Sequence, residues 1–280
     1  LPDDKTCKAS AGSKHAYKED TKLLEDAASK AGALALRYFN RDPQVWTKQN
    51  YSPVTEADLA VDEFLKETLM AARPDYGWLS EESEDNPERL EKQRVFVIDP
   101  IDGTRAFIDG GTEWTISLAV VENHRPVAAV LFAPVRGEMY CASRFGGTQL
   151  NNVPVVCPRL ANLDGARVAG PRPAIARGPL ARAGVQNAGY VRSLAYRIVM
   201  VTTGALDLAL AREDANDWDL AAADLIVEEA HGILRDKSNN LLKYNRPNVH
   251  HDSLYASCKA LGRLVAPMMP ALQFPQRRHG

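Results

Sequence analysis

The sequence has little cysteine and little excess charge of either sign. Cys7, Cys141, Cys157 and Cys258 are the four cysteines in 280 residues. None forms a C-x-x-C pair and none stands at zinc spacing from a histidine, so neither a disulfide framework nor a zinc module is indicated. They read as free thiols in a reducing compartment. Basic and acidic residues number 34 and 36, for a net charge of −2. That balance removes any whole-chain electrostatic case for nucleic acid or an anionic membrane. No apolar run reaches the roughly 18 residues that span a bilayer. The N-terminal segment lacks the apolar core of a signal peptide. The expected setting is the cytoplasm, with no nucleic-acid and no membrane partner. Internal repeats and low-complexity tracts are lacking too.

What is present suits a globular chain. The composition is 45% hydrophobic and 25% charged, which is ordinary for a folded domain. The length allows one large domain or two packed lobes. Residues 1–18 are polar and Lys-rich and read as a loose tail. The spacing of Leu23, Ala27, Leu34 and Tyr38 predicts a helix over 20–39. The run 52–58 opens a second helix, with Thr55 as cap and Asp58 at the capping-box position. Val61, Phe64 and Leu65 continue its apolar stripe, and Arg73-Pro74 ends it.

Short strands are expected at 77–80, 95–98, 114–121, 127–132 and 138–142, separated by turn residues. The second half alternates differently, with strand-like runs at 166–169, 206–211 and 253–257. Helix-like runs fall at 194–202, 219–230 and 259–269. Strands and helices interleave, which suggests stacked sheet and helix layers. Pro154 and Pro158 place the lobe boundary between 152 and 163, giving a first lobe over 19–155 and a second over 156–280.

Five acidic residues stand out, at four places in the chain. Glu81 and Glu82 follow the apolar pair Trp78-Leu79. Asp99 ends the run Val95-Phe96-Val97-Ile98, and Asp102 lies three residues on, in a Pro-Ile-Asp-Gly turn. Asp219 follows Trp218 at the start of an apolar helix. Carboxylates at strand ends and helix starts face the crevice where sheet ligands bind. Several converging there repel one another unless cations hold them, and hard oxygen donors select Mg2+, Mn2+ or Ca2+ over zinc. Asp102-Gly103-Thr104 adds an anion site, because Gly103 permits close backbone approach and a helix starting near Thr104 presents free N–H groups. Metal on one side and N–H groups on the other would clamp a phosphate for attack by a metal-activated water. Each element also has an ordinary reading: a turn at Asp99-Pro100 or Asp102-Gly103, a helix cap at Asp219 or Asp58, a solvated acidic loop at Glu81. The functional case rests on their joint occurrence.

Three segments taken together resemble the inositol monophosphatase superfamily of lithium-sensitive, magnesium-dependent phosphatases. They are Trp78-Leu79-Ser80-Glu81-Glu82-Ser83, Asp99-Pro100-Ile101-Asp102-Gly103-Thr104 and Trp218-Asp219-Leu220-Ala221-Ala222-Ala223, the last running on to Glu229-Ala230. The resemblance implies an α/β layered α-β-α-β-α sandwich, and often a homodimer. It implies that Glu81, Asp99 and the Ile101 carbonyl ligate one Mg2+ and that Asp99, Asp102 and Asp219 ligate a second, with a third ion near Glu81. Gly103 and Thr104 would bind phosphate through backbone N–H groups, beside Asp102 and Asp219. Thr104, tied to Asp58, would orient the attacking water. The substrate would be a small phosphorylated metabolite, with an inositol phosphate and 3'-phosphoadenosine 5'-phosphate leading and histidinol phosphate and fructose 1,6-bisphosphate as further options. A regulatory member that keeps the fold without turnover is the alternative.

The chain departs from the family pattern in places. His231 stands where a glycine is usual after Glu-Ala. Arg105 and Asp109 flank the signature turn where inositol-specific members carry other residues. The run 52–58 and Tyr244-Asn245-Arg246-Pro247 look more like the branch that removes the 3'-phosphate from 3'-phosphoadenosine 5'-phosphate. Ser193, Arg197 and Arg212 are open to either substrate contact or ordinary helix and surface roles.

Overall fold

The computed structural model describes residues 11–41, 43–47 and 53–274. The chain opens with helix α1 (Ala11–Leu36) and a two-stranded ribbon of β1 (Val45–Thr47) and β2 (Pro53–Thr55). Helix α2 (Glu56–Ala72) leads to β3 (Gly77–Ser80) and β4 (Arg94–Asp102), then the short helix α3 (Thr104–Ile108). Five strands follow: β5 (Thr115–Glu122), β6 (Arg125–Ala133), β7 (Glu138–Ser143), β8 (Gly147–Leu150) and β9 (Val153–Val155). The second half holds β10 (Arg167–Ala169), α4 (Arg172–Ala176), α5 (Gly178–Arg182), β11 (Gln186–Asn187), α6 (Leu194–Thr203) and β12 (Leu208–Ala211). It ends with β13 (Ala215–Asn216), α7 (Asp217–Glu229), β14 (Gly232–Asp236), β15 (His250–His251), β16 (Leu254–Cys258) and α8 (Lys259–Val265).

Strands β3 to β9 form one seven-stranded sheet in chain order, and β11-β10-β12-β16-β14 form a five-stranded one. In the first sheet only β3 and β4 run parallel among the paired neighbours. Side chains alternate across a strand, and the alternation here divides two cores. Phe96, Ile98, Ile116, Leu118 and Val130 pack beneath α1 and α2. Val95, Val97, Ala119 and Leu131 face α6 and α7 on the other side. The inner face of the five-stranded sheet, through Ala209, Ala211, Leu254 and Ala256, closes that same core. Its outer face, through Leu208, Leu210 and Tyr255, packs against α4, α5 and α8. Helix pair, sheet, helix pair, sheet and helix layer therefore stack as the expected α-β-α-β-α sandwich.

Two boundaries differ from expectation. Residues 11–18, expected as loose tail, are the start of α1; residues 1–10 lie outside the described residues. Long-range contacts hold that first stretch: the Tyr17 hydroxyl donates to Glu122 at 2.5 Å, and buried Asp20 accepts from Arg73, Tyr76 and Arg94. The final helix stops at Val265 and continues as a 3-10 turn over Ala266–Ala271. Pro267 and Pro270 lack the N–H that an α-helix needs there.

Other local readings stand. Thr55 caps α2 with the full capping box to Asp58; Ser52, which was expected to precede it, lies outside the described residues. His231 holds a left-handed φ of 66° at the end of α7, the conformation a glycine would adopt more easily. Cys141, Cys157 and Cys258 are free thiols. No described helix is long and apolar enough to cross a membrane.

Candidate metal and phosphate site

The C-terminal ends of β3 and β4, the first turn of α3 and the first turn of α7 meet at one cavity of about 730 Å³. Glu81, Asp99, Asp102, Gly103, Thr104 and Asp219 all line it. Carboxylate oxygens of Glu81, Asp99 and Asp219 lie within 4.8 Å of one another. Each reaches that point for a local reason. Glu81 leaves β3 with its N–H donating to the Ile98 carbonyl at 3.2 Å, so it stays beside β4. Asp99 sits where the β4–β5 register breaks, between Asp99 and Asp102, and its Oδ1 accepts from the Ile101 N–H at 3.0 Å. Asp219 is the third residue of α7, and its Oδ2 accepts from the Asn216 N–H at 2.6 Å. It is therefore both a capping residue and a cavity residue. The β13–β15 pairing fixes the cap itself.

Asp102 stands beside these three but is turned toward α6. Its Oδ2 accepts from the Ser193 hydroxyl and from the Ala195 N–H at 2.8 Å, and its Oδ1 from the Leu194 N–H at 3.2 Å. A carboxylate has about four lone-pair directions, so one on Oδ1 remains for a ligand. Ser193 is also the cap of α6, accepting from the Tyr196 N–H at 3.0 Å. The ordinary helix role is thus the one Ser193 takes, and it ties the first sheet to the second half of the chain.

Gly103 adopts a φ of +93° as it turns β4 into α3. A Cβ there would stand 3.1 Å from the Glu113 carbonyl oxygen and 3.2 Å from Ser193 Cα. Conformation and space both require glycine at this point. Thr104 follows, its hydroxyl 3.2 Å from Asp58 Oδ1 and 3.1 Å from the Ile101 carbonyl. The hydroxyl has one proton for these two acceptors. Asp58 also accepts from the Thr55 N–H at 2.8 Å and the Thr55 hydroxyl at 2.5 Å.

The electrostatics follow from this crowding. Burial, then the charges of Glu81, Asp102 and Asp219, push the Asp99 carboxyl well above its ordinary range. Asp219 is raised in the same way, by burial and then by Glu81 and Asp102. Burial pushes Asp102 up to about 6, less far because the hydrogen bonds from Ser193, Ala195 and Leu194 hold its charge. Burial also raises Asp58 to about 6, against its bonds to Thr55. Three oxygen-only donors held together against their own repulsion fit a hard divalent cation, which would remove that repulsion.

The rim is of the opposite sign. Arg105 and Asp109 come from α3 and the residue after it, Tyr190 and Arg192 from the segment before α6, and Arg212 from the end of β12. Arg192 donates to Asp109 and, at 2.8 Å, to the Arg105 carbonyl, which bridges the cavity mouth. Arg197, weighed as a substrate contact, is instead buried in α6 and donates to the Val191 carbonyl at 3.0 Å. Sequence reasoning passed over Tyr190 and Arg192, since an exposed Tyr and Arg in a polar stretch carry no local signal.

The family model for the inositol monophosphatase family matches residues 16–267. The chain belongs to the inositol monophosphatase family. Among curated relatives of this family, a histidinol-phosphatase from Chlorobaculum parvum is 34% identical over 224 residues, covering 78% of this chain and 85% of its own. A 3'(2'),5'-bisphosphate nucleotidase, CysQ, from Aggregatibacter actinomycetemcomitans is 32% identical over 242 residues, covering 81% and 88%. Among solved structures, the Thermotoga maritima IMPase superposes with a TM-score of 0.78 at 24% identity, over 90% of this chain and 97% of that one. That last likeness speaks to the fold, which is the layered α/β architecture of inositol monophosphatases.

Proposed function

We propose that the protein is a magnesium-dependent phosphatase that hydrolyses a small phosphate monoester. The observation that carries this is the convergence of Glu81, Asp99 and Asp219 within 4.8 Å beside the Gly103-Thr104 turn. Glu81, Asp99, Asp219 and the remaining lone pair of Asp102 would hold the cation, with the Ile101 carbonyl at its edge. A bound Mg2+ supplies positive charge to the phosphoryl group and acidity to the attacking water.

The chain's own groups do the rest. Gly103 leaves the cavity wall free of side chain, so a phosphate oxygen can approach the backbone. When the Thr104 hydroxyl donates its proton to Asp58, its oxygen keeps lone pairs that accept an O–H from a water in the cavity. That orients the water with a lone pair toward the phosphorus. Asp58, buried and raised to about 6, can then take a proton relayed through Thr104 Oγ1 as the water attacks, while the ester P–O bond breaks and the departing alkoxide takes a proton from water at the open mouth of the cavity. Arg105, Arg192 and Arg212 at the rim face the part of the substrate that leaves, so substrate choice lies with them and Tyr190 rather than with the carboxylates.

The test is phosphate release by purified protein with Mg2+, across inositol monophosphate, 3'-phosphoadenosine 5'-phosphate, histidinol phosphate and fructose 1,6-bisphosphate. At least one should be hydrolysed, with the activity abolished by chelator and inhibited by lithium against a sodium control. No release from any of the four, at any Mg2+ concentration, would sink the proposal. All the expected ligands are retained, which weighs against a regulatory member without turnover.

A further inference from the structure

Helix α2 presents two buried carboxylates one turn apart, Asp58 and Asp62. Asp58 faces Thr104. Asp62 faces the other wall of the site. Its Oδ1 accepts from the Ser80 hydroxyl at 2.5 Å and its Oδ2 from the Ser83 hydroxyl at 2.6 Å. Those serines stand on either side of Glu81-Glu82. Ser80 Oγ in turn accepts from the Glu82 N–H at 3.4 Å, and Ser83 Oγ from the Trp78 indole N–H at 3.1 Å. One carboxylate therefore closes the chain from β3 through Ser83 into a fixed loop.

We infer that Asp62 is a positioning residue for the divalent cation: it sets where Glu81 stands and thereby the affinity of the site. The inference rests on the reading of Glu81, Asp99 and Asp219 as a cation site. Asp99 is held by the β4 ladder and Asp219 by the cap of α7. Glu81 lies just past the end of β3, on a bend, with a longer side chain than either aspartate. It is the donor that regular structure supports least, so the loop that carries it sets where its carboxylate stands. Residues at i and i+4 on a helix lie about 6 Å apart. With Asp58 gripping the Thr104 turn and Asp62 gripping the Glu81 loop, α2 acts as a rigid spacer between the two walls.

The chemistry of the contact favours a carboxylate over its amide. Both serines donate to Asp62, so an amide there keeps one acceptor and sets an N–H against a hydroxyl that must turn its own proton away. Asp62→Asn is then a nearly isosteric change that loosens the loop without emptying space.

The experiment is calorimetric titration of Mn2+ into the full-length, chelator-stripped protein, with metal-free melting curves beside it. Asp62→Asn should lower Mn2+ affinity by about 10- to 100-fold, the usual effect of removing a partner that orients a metal ligand. Its phosphatase activity should recover as Mg2+ is raised, so that the Mg2+ needed for half-activity moves more than the limiting rate. Ser83→Ala, which keeps the carboxylate and removes one grip, should give a smaller loss in the same direction. It decides the matter should Asp62→Asn fail to fold. Wild-type affinity in a folded Asp62→Asn, or in Ser83→Ala if only that folds, overturns the inference while leaving the cation site intact. No Mn2+ binding to the wild-type protein overturns the cation reading itself, and this inference with it.

Discussion

At the base of the cavity, Asp99 is buried and Asp219 half-buried, and their carboxylates converge while each accepts a backbone N–H. At the rim, Asp109 and Arg192 are exposed and neutralise one another directly. The base stores repulsion that a ligand must relieve, whereas the Asp109–Arg192 pair at the rim is already balanced and open to solvent. Charges of the first kind are worth much to function and work against the empty fold. Charges of the second kind are worth little to the fold, because exposed ion pairs contribute roughly 0–1 kcal/mol.

The comparison breaks most sharply at Asp99. Asp99→Asn keeps the shape and removes the central charge of the cluster. It should lower kcat/KM by about 10³-fold or more, the upper range for losing one preorganised electrostatic group. Phosphate release at saturating Mg2+ measures it. A variant within tenfold of wild type would mean that the base is not where the charge is used.

Thr104→Ala is the next step down. It removes the hydroxyl between the cavity and Asp58 but leaves the three converging carboxylates. A loss of about 10²-fold in kcat, with KM little changed, is expected for a group that handles one proton. If KM rose instead and kcat held, Thr104 would be a binding residue and the relay to Asp58 would be wrong.

The metal-free protein sharpens the comparison from the side of stability. Asp99, Asp102 and Asp219 all have carboxyl pKa values raised by folding. Between the unfolded and folded values the folded state holds more protons, so stability falls as pH rises. For Asp102 that window runs from 3.8 to about 6, and Asp99 acts in the same direction. In chelator, the melting temperature should therefore drop between about pH 4 and about pH 6, and Asp99→Asn should flatten the drop. Added Mg2+ should restore the wild type at the higher pH and the variant much less. Parallel curves for the two proteins would show that the base carboxylates do not repel.

Legibility in the sequence follows the same division. Glu81, Asp99 and Asp219 could be read because each follows a local signal, a strand end or a helix start. The capping box at Thr55 and Asp58 was legible for that reason too. Asp102 was only half legible: its position was clear, but its partners Ser193, Leu194 and Ala195 lie some ninety residues on. Asp62 was missed although it stands one turn from Asp58, since nothing in a helical pattern says which neighbour a carboxylate will meet. The first residues of α1 read as tail because Glu122 and Arg94, the partners of Tyr17, belong to elements far along the chain. Stacked sheet and helix layers, by contrast, followed from alternation and period, while their five-layer order came from the family resemblance.

The smallest expected effect lies at the rim, in Arg192→Ala. Arg192 bridges Asp109 and the Arg105 carbonyl across the cavity mouth and is 41% exposed at its side chain. Losing an exposed pair should leave the melting temperature nearly unchanged. Its charge still faces whatever leaves the phosphate, so KM should rise by a factor of about two to five, the equivalent of less than about 1 kcal/mol. That rise should differ among the four candidate substrates, because only the leaving part of each reaches the rim. An equal change for all four would move Arg192 from substrate choice to simple attraction of the phosphate. A large fall in kcat would instead place it in the chemistry, and would erase the distinction between base and rim.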